Sequence, residues 1–368
     1  MFEQKDIRGA YTISADFYRN EKLFAQVREN IFARSWQFIT DSGRIKAPGH
    51  AVPLTMLDGL LNEPLLLTRD STDELHCLSN VCTHRGNMLA EGECHVTSLR
   101  CRYHGRRFNL DGSFASAPGF EDAINFPSAT DDLPRVPFGQ WKTMIFANAS
   151  ITDQIFALPE LVAEMDRRVA WLPLENFLFD STGAREYLVK ANWALYCENY
   201  LEGMHIPYVH PDLATALDIK DYRSEIYKYS NLQVGIASNA QECFQLPKSS
   251  PDYGQRIGGY YYWLFPNMMF NFYPWGLSIN VVQPLGQELT KVLFLPYVWD
   301  ASKREFGAGA ALDRVEREDE EIVERVQKGV KSRFYKRGRY APRWEKGVSH
   351  FHELLKQYVP EIESIQNS

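Results

Sequence analysis

Cys82-Thr83-His84-Arg85-Gly86 and Cys101-Arg102-Tyr103-His104-Gly105 decide the fold of this chain of 368 residues. Each segment carries one thiol and one imidazole, and the sixteen residues from Arg85 to Arg100 lie between His84 and Cys101. Two thiolates and two imidazoles satisfy either a tetrahedral zinc ion or a mixed-ligated [2Fe–2S] cluster, in which both cysteines bind one iron and both histidines the other. Zinc dyads repeat like ligands, a Cys pair followed by a His pair. Here each loop holds one ligand of each type, as two loops clamping a two-iron cluster require. The dyads therefore read as an electron-carrying site.

Neither loop has a further Cys to cross-brace the other. Asn87 and Arg102 stand where high-potential Rieske proteins carry disulfide cysteines, so the cluster reads as the low-potential, disulfide-free type. Cys94-His95 between the dyads reads as structural, because the ligand set is already complete. Cys77, Cys94, Cys197 and Cys243 are expected as packed thiols of a reducing compartment.

Outward from the dyads, short apolar runs alternate with Gly, Pro, Asn and Asp turns: Ala51–Met56, Pro64–Thr68, Leu75–Ser79 and Met144–Ala147. That pattern predicts an all-β module over 37–155 with the dyads on two loops and a surface excursion at Phe126–Pro137. Residues 14–36 read as an amphipathic helix. The first domain, 1–36, is expected to pack on a catalytic domain over 156–368, which holds aromatic strands at Gly258–Phe265, Met268–Tyr273, Leu277–Val282 and Lys291–Trp299 and a charged helix near Gly309–Gly338. The expected class is α+β.

A net charge of −7 argues against a nucleic-acid partner. No apolar run reaches membrane-spanning length, and Met1–Asp6 has no signal-peptide character, so a cytoplasmic protein with no membrane partner is expected.

The second constellation is Asn192-Trp193 followed by Glu202-Gly203-Met204-His205-Ile206-Pro207-Tyr208-Val209-His210. Histidines five apart do not align on a regular helix, but Pro207 disturbs the turn between them and can bring both rings to one metal. Two His call for a carboxylate to complete a facial triad with open positions for O2. Asp319 falls inside the apolar stripe Leu312, Val315, Ile322, Val323, Val326 and Val330, where a carboxylate needs a partner. Asp313 and Glu316 are its reserves, and Glu318, Glu320 and Glu321 read as solvated.

Together, Cys-x-His-Arg-Gly, Cys-x2-His-Gly, the Asn-Trp lead-in and Glu-x2-His-x4-His over nearly the whole chain resemble the catalytic α subunits of Rieske non-haem iron oxygenases. The resemblance implies an all-β Rieske [2Fe–2S] domain on Cys82, His84, Cys101 and His104, and a helix-grip, START-like catalytic domain. It implies a mononuclear Fe(II) on His205, His210 and Asp319. It further implies a head-to-tail homotrimer in which Glu202 bridges His104 of one subunit to His205 of the next. Glu202 stands where most ring-dihydroxylating members have Asp and resembles the carnitine, betaine and choline monooxygenase branch. Arg106 replaces the family's usual Trp and Arg102 a common Pro.

The aromatic strand residues Tyr260, Tyr262, Trp263, Phe265, Phe270, Phe272, Tyr273 and Trp275 are expected to wall the substrate pocket, as a cage for a quaternary ammonium or N-methyl compound or as a stacking surface for an aromatic ring. The first gives a monooxygenase removing a methyl group or cleaving a C–N bond, the second a ring dioxygenase. The chain lacks a Gly-rich dinucleotide fingerprint, so electrons from NAD(P)H must come through a separate flavin or iron–sulfur reductase. The basic run from Lys328 to Arg343 reads as a solvated helix end before it reads as a reductase dock. A non-enzymatic Rieske carrier would need only the β module.

Overall fold

The computed structural model describes residues 6–310 and 312–366; residues 1–5, 311, 367 and 368, which the expected first and last domains include, lie outside them. The chain forms two compact units, one continuous over Ala33–Ile155 and one assembled from residues 6–32 and 156–366.

The 33–155 unit is built from antiparallel sheets. Four strands pair in the order Leu75–Ser79, Glu63–Arg69, His50–Met56 and Cys94–His95. Three short ones, Leu99–Arg100, Arg107–Phe108 and Phe114–Ser116, form a second sheet, and Gln37–Asp41, Met144–Ala147 and Phe138–Trp141 a third. Inward-facing Leu66 and Leu78 lie in register across neighbouring strands and pack with Leu99, Phe108, Leu110 and Leu133. Each fully buried side chain of this size contributes roughly 1.5–3 kcal/mol. Cys82 and Cys101 belong to the same cluster, so the apolar core is the floor on which the two loops stand. Cys94 departs from the packed-thiol expectation: it sits on an edge strand of two residues and is exposed.

The other unit centres on an eight-stranded antiparallel sheet, ordered Leu178–Phe179, Leu289–Val298, Gly276–Gly286, Met268–Tyr273, Ile257–Leu264, Ser230–Ile236 and Arg223–Ile226, with Arg185–Val189 also on Leu289–Val298. Its central strands Ile257–Leu264 and Met268–Tyr273 are covered on both faces and are buried along nearly their whole length instead of alternating. On one face Trp263 meets Phe351 of the helix Lys346–Tyr358 at 5.3 Å, and Tyr200, closing the helix Trp193–Tyr200, donates to Asn271 Oδ1 at 2.7 Å. On the opposite face Tyr262 donates to the Glu164 carbonyl of the helix Leu158–Val169.

The expected helix over 14–36 is broken into a 3-10 turn at Ala15–Arg19, an α-helix at Glu21–Asn30 and a second turn at Phe32–Arg34. Asn20 causes the break: its extended backbone ends the first turn, and its side chain caps Lys22 and Leu23 N–H. Trp36 falls in the other unit. The charged helix runs over Leu312–Gly329, shorter than the expected span. Its buried face is turned from the expected stripe: Val326 is exposed, while Gln327 is buried and accepts from Asn192 N–H at 2.8 Å. No helix among the described residues is long and apolar enough to cross a membrane.

Candidate active site

The two Cys/His loops share one backbone plan. Cys82 N–H donates to the Asn87 carbonyl at 2.9 Å and Gly86 N–H to the Cys82 carbonyl at 3.0 Å; Cys101 N–H donates to Arg106 at 2.8 Å and Gly105 N–H to Cys101 at 3.1 Å. Gly86 and Gly105 both take positive φ, 70° and 77°, which closes each turn where a side chain would be strained. Both cysteines are buried, and their thiols lie within hydrogen-bond reach of each other. Burial pushes the Cys101 thiol up, but N–H groups of Tyr103 and His104 and the Asn87 side chain outweigh it, and the thiol sits below its ordinary value. The rings of His84 and His104 meet edge-on at 4.7 Å between centroids, His104 at the surface.

This arrangement pairs sulfur with sulfur and imidazole with imidazole. Among the described residues, the groups of three or more ligand atoms close enough for a single ion are His205/His210/Asp319 and Asp70/Glu74/His76, not the loop residues. A tetrahedral zinc ion needs all four ligands around one point, whereas a mixed-ligated cluster needs the two pairs held apart. The donor set fits the cluster.

The second set lies wholly in the catalytic unit. The helix Trp193–Tyr200 ends at Leu201, and a new short helix, Ile206–Val209, begins at His205 with Pro207 in its first turn. The break swings His205 and His210 toward each other, their rings 5.2 Å apart. Asp319 comes in from Leu312–Gly329, with Oδ1 at 2.9 Å from His210 Nε2 and 3.6 Å from His205 Nε2. Each imidazole's outer nitrogen already faces a carboxylate: Nδ1 of His205 meets Glu202 Oε1 at 2.6 Å, and Nδ1 of His210 meets Glu318 Oε2 at 2.7 Å. With Nδ1–H donated outward, both Nε2 lone pairs point at an anionic oxygen, a convergence that calls for a cation. Burial pushes the His210 imidazole down, but the Asp319 and Glu318 carboxylates outweigh it and hold its proton affinity above the ordinary value. Asn199 Nδ2 donates to Asp319 Oδ1 at 2.6 Å and fixes that carboxylate. The three atoms fit a two-His, one-carboxylate iron site.

Three sequence readings change here. Glu318 is not a solvated neighbour of Asp319 but the carboxylate that orients His210. The reserves go elsewhere: Asp313 pairs with Tyr187 and Arg317, and Glu316 accepts from the Tyr196 hydroxyl at 2.6 Å. Glu320 is half-buried, and desolvation raises its carboxyl.

Beside His205, His210 and Asp319 lies a cavity of about 100 Å³, walled by Tyr196, Tyr200, Tyr222, Tyr261, Tyr273 and Glu316 together with those three side chains. Of the eight aromatics expected to form it, Tyr273 lines it. Tyr260, Tyr262, Phe270 and Phe272 occupy the other strand face, Trp263 and Phe265 pack under the helix Lys346–Tyr358, and Trp275 lines a neighbouring cavity. The period of two decides the outcome: Tyr261, Met269 and Asn271 point where Tyr260, Tyr262 and Phe270 cannot. Burial, and then the charge of Asp319, push the Glu316 carboxyl well above the usual range.

Residues 174–361 match the ring hydroxylating alpha subunit (catalytic domain) family, and residues 35–127 match the Rieske [2Fe-2S] domain. The chain belongs to the Rieske oxygenase α subunits. It is 30% identical to a chloroplastic choline monooxygenase of Beta vulgaris, over 95% of this chain and 77% of that one. It is 29% identical to the carnitine monooxygenase oxygenase subunit of Escherichia coli (strain K12), over 95% and 94%. A solved quaternary ammonium Rieske monooxygenase superposes with a TM-score of 0.77 at 22% identity, covering 96% of each chain. Naphthalene 1,2-dioxygenase from Rhodococcus sp. gives 0.73 at 17% identity, over 97% and 96%. This Rieske oxygenase thus combines a [2Fe–2S] domain with a mononuclear-iron catalytic domain.

Proposed function

We propose that this oxygenase hydroxylates a quaternary ammonium or N-methyl compound, and that the tyrosine-walled cavity is where it binds. The observation that carries this reading is the cavity's lining: five tyrosines, the carboxyl groups of Glu202, Glu316 and Asp319, and no lysine or arginine. Ring faces attract a methylated ammonium head through their quadrupoles, and the carboxylates of Glu202 and Asp319 add to the same field. A neutral hydrocarbon ring would have to displace water from those polar groups without replacing its hydrogen bonds. The choline and carnitine monooxygenase relatives support the same substrate class.

In this reading Cys82, Cys101, His84 and His104 hold the cluster, and His205, His210 and Asp319 hold the iron. The bound metals supply electron transfer and O2 activation. Glu202 keeps the His205 ring in one tautomer and, at a subunit interface, accepts the second hydrogen bond from His104 of a neighbouring chain in a homotrimer. Glu318 keeps His210 in the same tautomer, and Asn199 holds Asp319. The tyrosine rings point the substrate's methyl group at the open positions of the triad. The overall balance is one methyl C–H, O2, two electrons and two protons giving C–OH and water, the electrons coming from NAD(P)H through a separate reductase. A hydroxymethyl group on nitrogen then loses formaldehyde as the C–N bond breaks; the electron pair stays on nitrogen and the hydroxyl proton passes to solvent. The free cysteines suit a reducing cytoplasm.

The test supplies the purified oxygenase, a surrogate reductase and NADH with separate pools of methylated ammonium and aromatic compounds under 18O2, and products are read by mass spectrometry. Single-oxygen products from the ammonium pool are expected. Replacing one cage ring, Tyr261→Leu, is expected to raise KM for that substrate about 5-fold, the loss of roughly 1 kcal/mol of cation–π attraction. Two labelled oxygens on a ring, with the ammonium pool untouched, would overturn the substrate class.

A further inference from the structure

Arg106 follows two residues after His104, where a tryptophan is usual in this family, and it is 3% exposed. Its guanidinium lies within 5.0–5.8 Å of the ring centroids of four phenylalanines, Phe108, Phe114, Phe120 and Phe126. One carboxylate meets it: Nη2 donates to Asp131 Oδ1 at 2.5 Å, while Nε has no acceptor among the described residues. Asp131 is itself fixed, its Oδ2 taking the Ser128 N–H at 2.7 Å. Asp131 also reaches the other loop, because its carbonyl accepts from Thr83 Oγ1 at 2.8 Å, between Cys82 and His84. Phe120, one of the rings beside Arg106, stands edge-on to the His84 ring at 5.2 Å.

A tryptophan or leucine would fill this apolar hole without the cost of stripping water from a guanidinium. What Arg106 adds over such a filler is a fixed positive charge and a tie through Asp131 between the two ligand loops. From this geometry we propose that Arg106 is a positioning residue for the cluster. With Asp131 it clamps the Cys82–His84 loop to the Cys101–His104 loop, in the absence of a cross-bracing disulfide, and its charge stabilises the reduced cluster. Reduction adds negative charge to the cluster, and a buried cation beside it favours that state. The proposal rests on the cluster reading of the four loop residues but not on the substrate.

The test compares wild type with Arg106→Leu, Arg106→Lys and Asp131→Asn as intact chains. Iron and sulfide content, the EPR g-values of the reduced cluster and its midpoint potential are read. A purified wild type without a [2Fe–2S] signature would sink the cluster reading itself. With that signature present, Arg106→Leu is expected to lower the midpoint potential and shift the g-values, and Arg106→Lys to return both toward wild type. Asp131→Asn, which removes the counter-charge, is expected to move the potential the opposite way while speeding cluster loss. Packing alone would not give opposite signs. Unchanged potential and g-values in a fully loaded Arg106→Leu would overturn the proposal. If that variant fails to fold, an unchanged midpoint potential in a loaded Asp131→Asn would do the same.

Discussion

In the cluster loops each Cys and its His lie two or three positions apart, and two matching backbone turns set their geometry. In the proposed iron site His210 and Asp319 are 109 positions apart, and side chains do the holding: Glu202 pairs with His205, Glu318 with His210, and Asn199 with Asp319. The first site is local and backbone-defined. The second exists only once the helix Leu312–Gly329 has docked beside Trp193–Tyr200. The ligand turns of the first are closed by adjacent backbone, whereas the second depends on distant carboxylates that touch no reacting atom.

The largest break of this contrast is Asp319→Ala. Mononuclear iron and product formation are expected to fall to background while the visible spectrum of the cluster stays as in wild type. Metal analysis with absorption spectra reads both in one sample, and loss of the cluster along with the iron would show that the sites are not independent.

Acid sharpens the contrast through His350, which is 6% exposed on the helix Lys346–Tyr358 of the catalytic unit and is pushed down to about 4 by burial. A depressed folded value means the unfolded chain binds the proton more readily. The His350 contribution is therefore whole above the unfolded value near 6.5 and is lost as pH falls through about 4, an effect on the order of 3 kcal/mol. His350→Leu is expected to flatten the stability profile between those limits. An unaltered acid slope in denaturant titrations of that variant would remove His350 as the cause.

Glu318→Ala gives the smallest of the three effects. Iron affinity is expected to fall about 10- to 100-fold, as for other groups that orient a ligating imidazole. Competition with a chelator measures it, and wild-type affinity would return Glu318 to the solvent-facing role its sequence neighbourhood suggests.

How much could be read beforehand follows the same divide. The Cys-x-His and Cys-x2-His spacing carries the cluster loops because the backbone turns that close them are adjacent in sequence. Asp319 was legible as a carboxylate on a buried stripe, but Glu318 was not: one position along a helix turns a side chain by 100°, and an acidic run gives no sign of which member reaches sideways. The cavity wall was misread for a related reason. In a sheet buried on both faces, Tyr260, Tyr261 and Tyr262 are equally apolar neighbours, and composition cannot say which face meets the ligands. Arg106 was visible as a departure from a familiar pattern, but its cage comes from Phe114, Phe120 and Phe126, spread over loops without a periodic signature.

The division of the chain into a continuous 33–155 unit and a catalytic unit drawn from both sides of it has a consequence for synthesis. A ribosome delivers every residue of the cluster unit before the catalytic sheet is begun. The helix Glu21–Asn30, in contrast, must wait for its partner helix Lys346–Tyr358. At ordinary elongation rates that wait is on the order of 15–60 s. The iron–sulfur module can fold and be loaded on the nascent chain during this interval, so that the catalytic unit completes its own fold only after the cluster is in place.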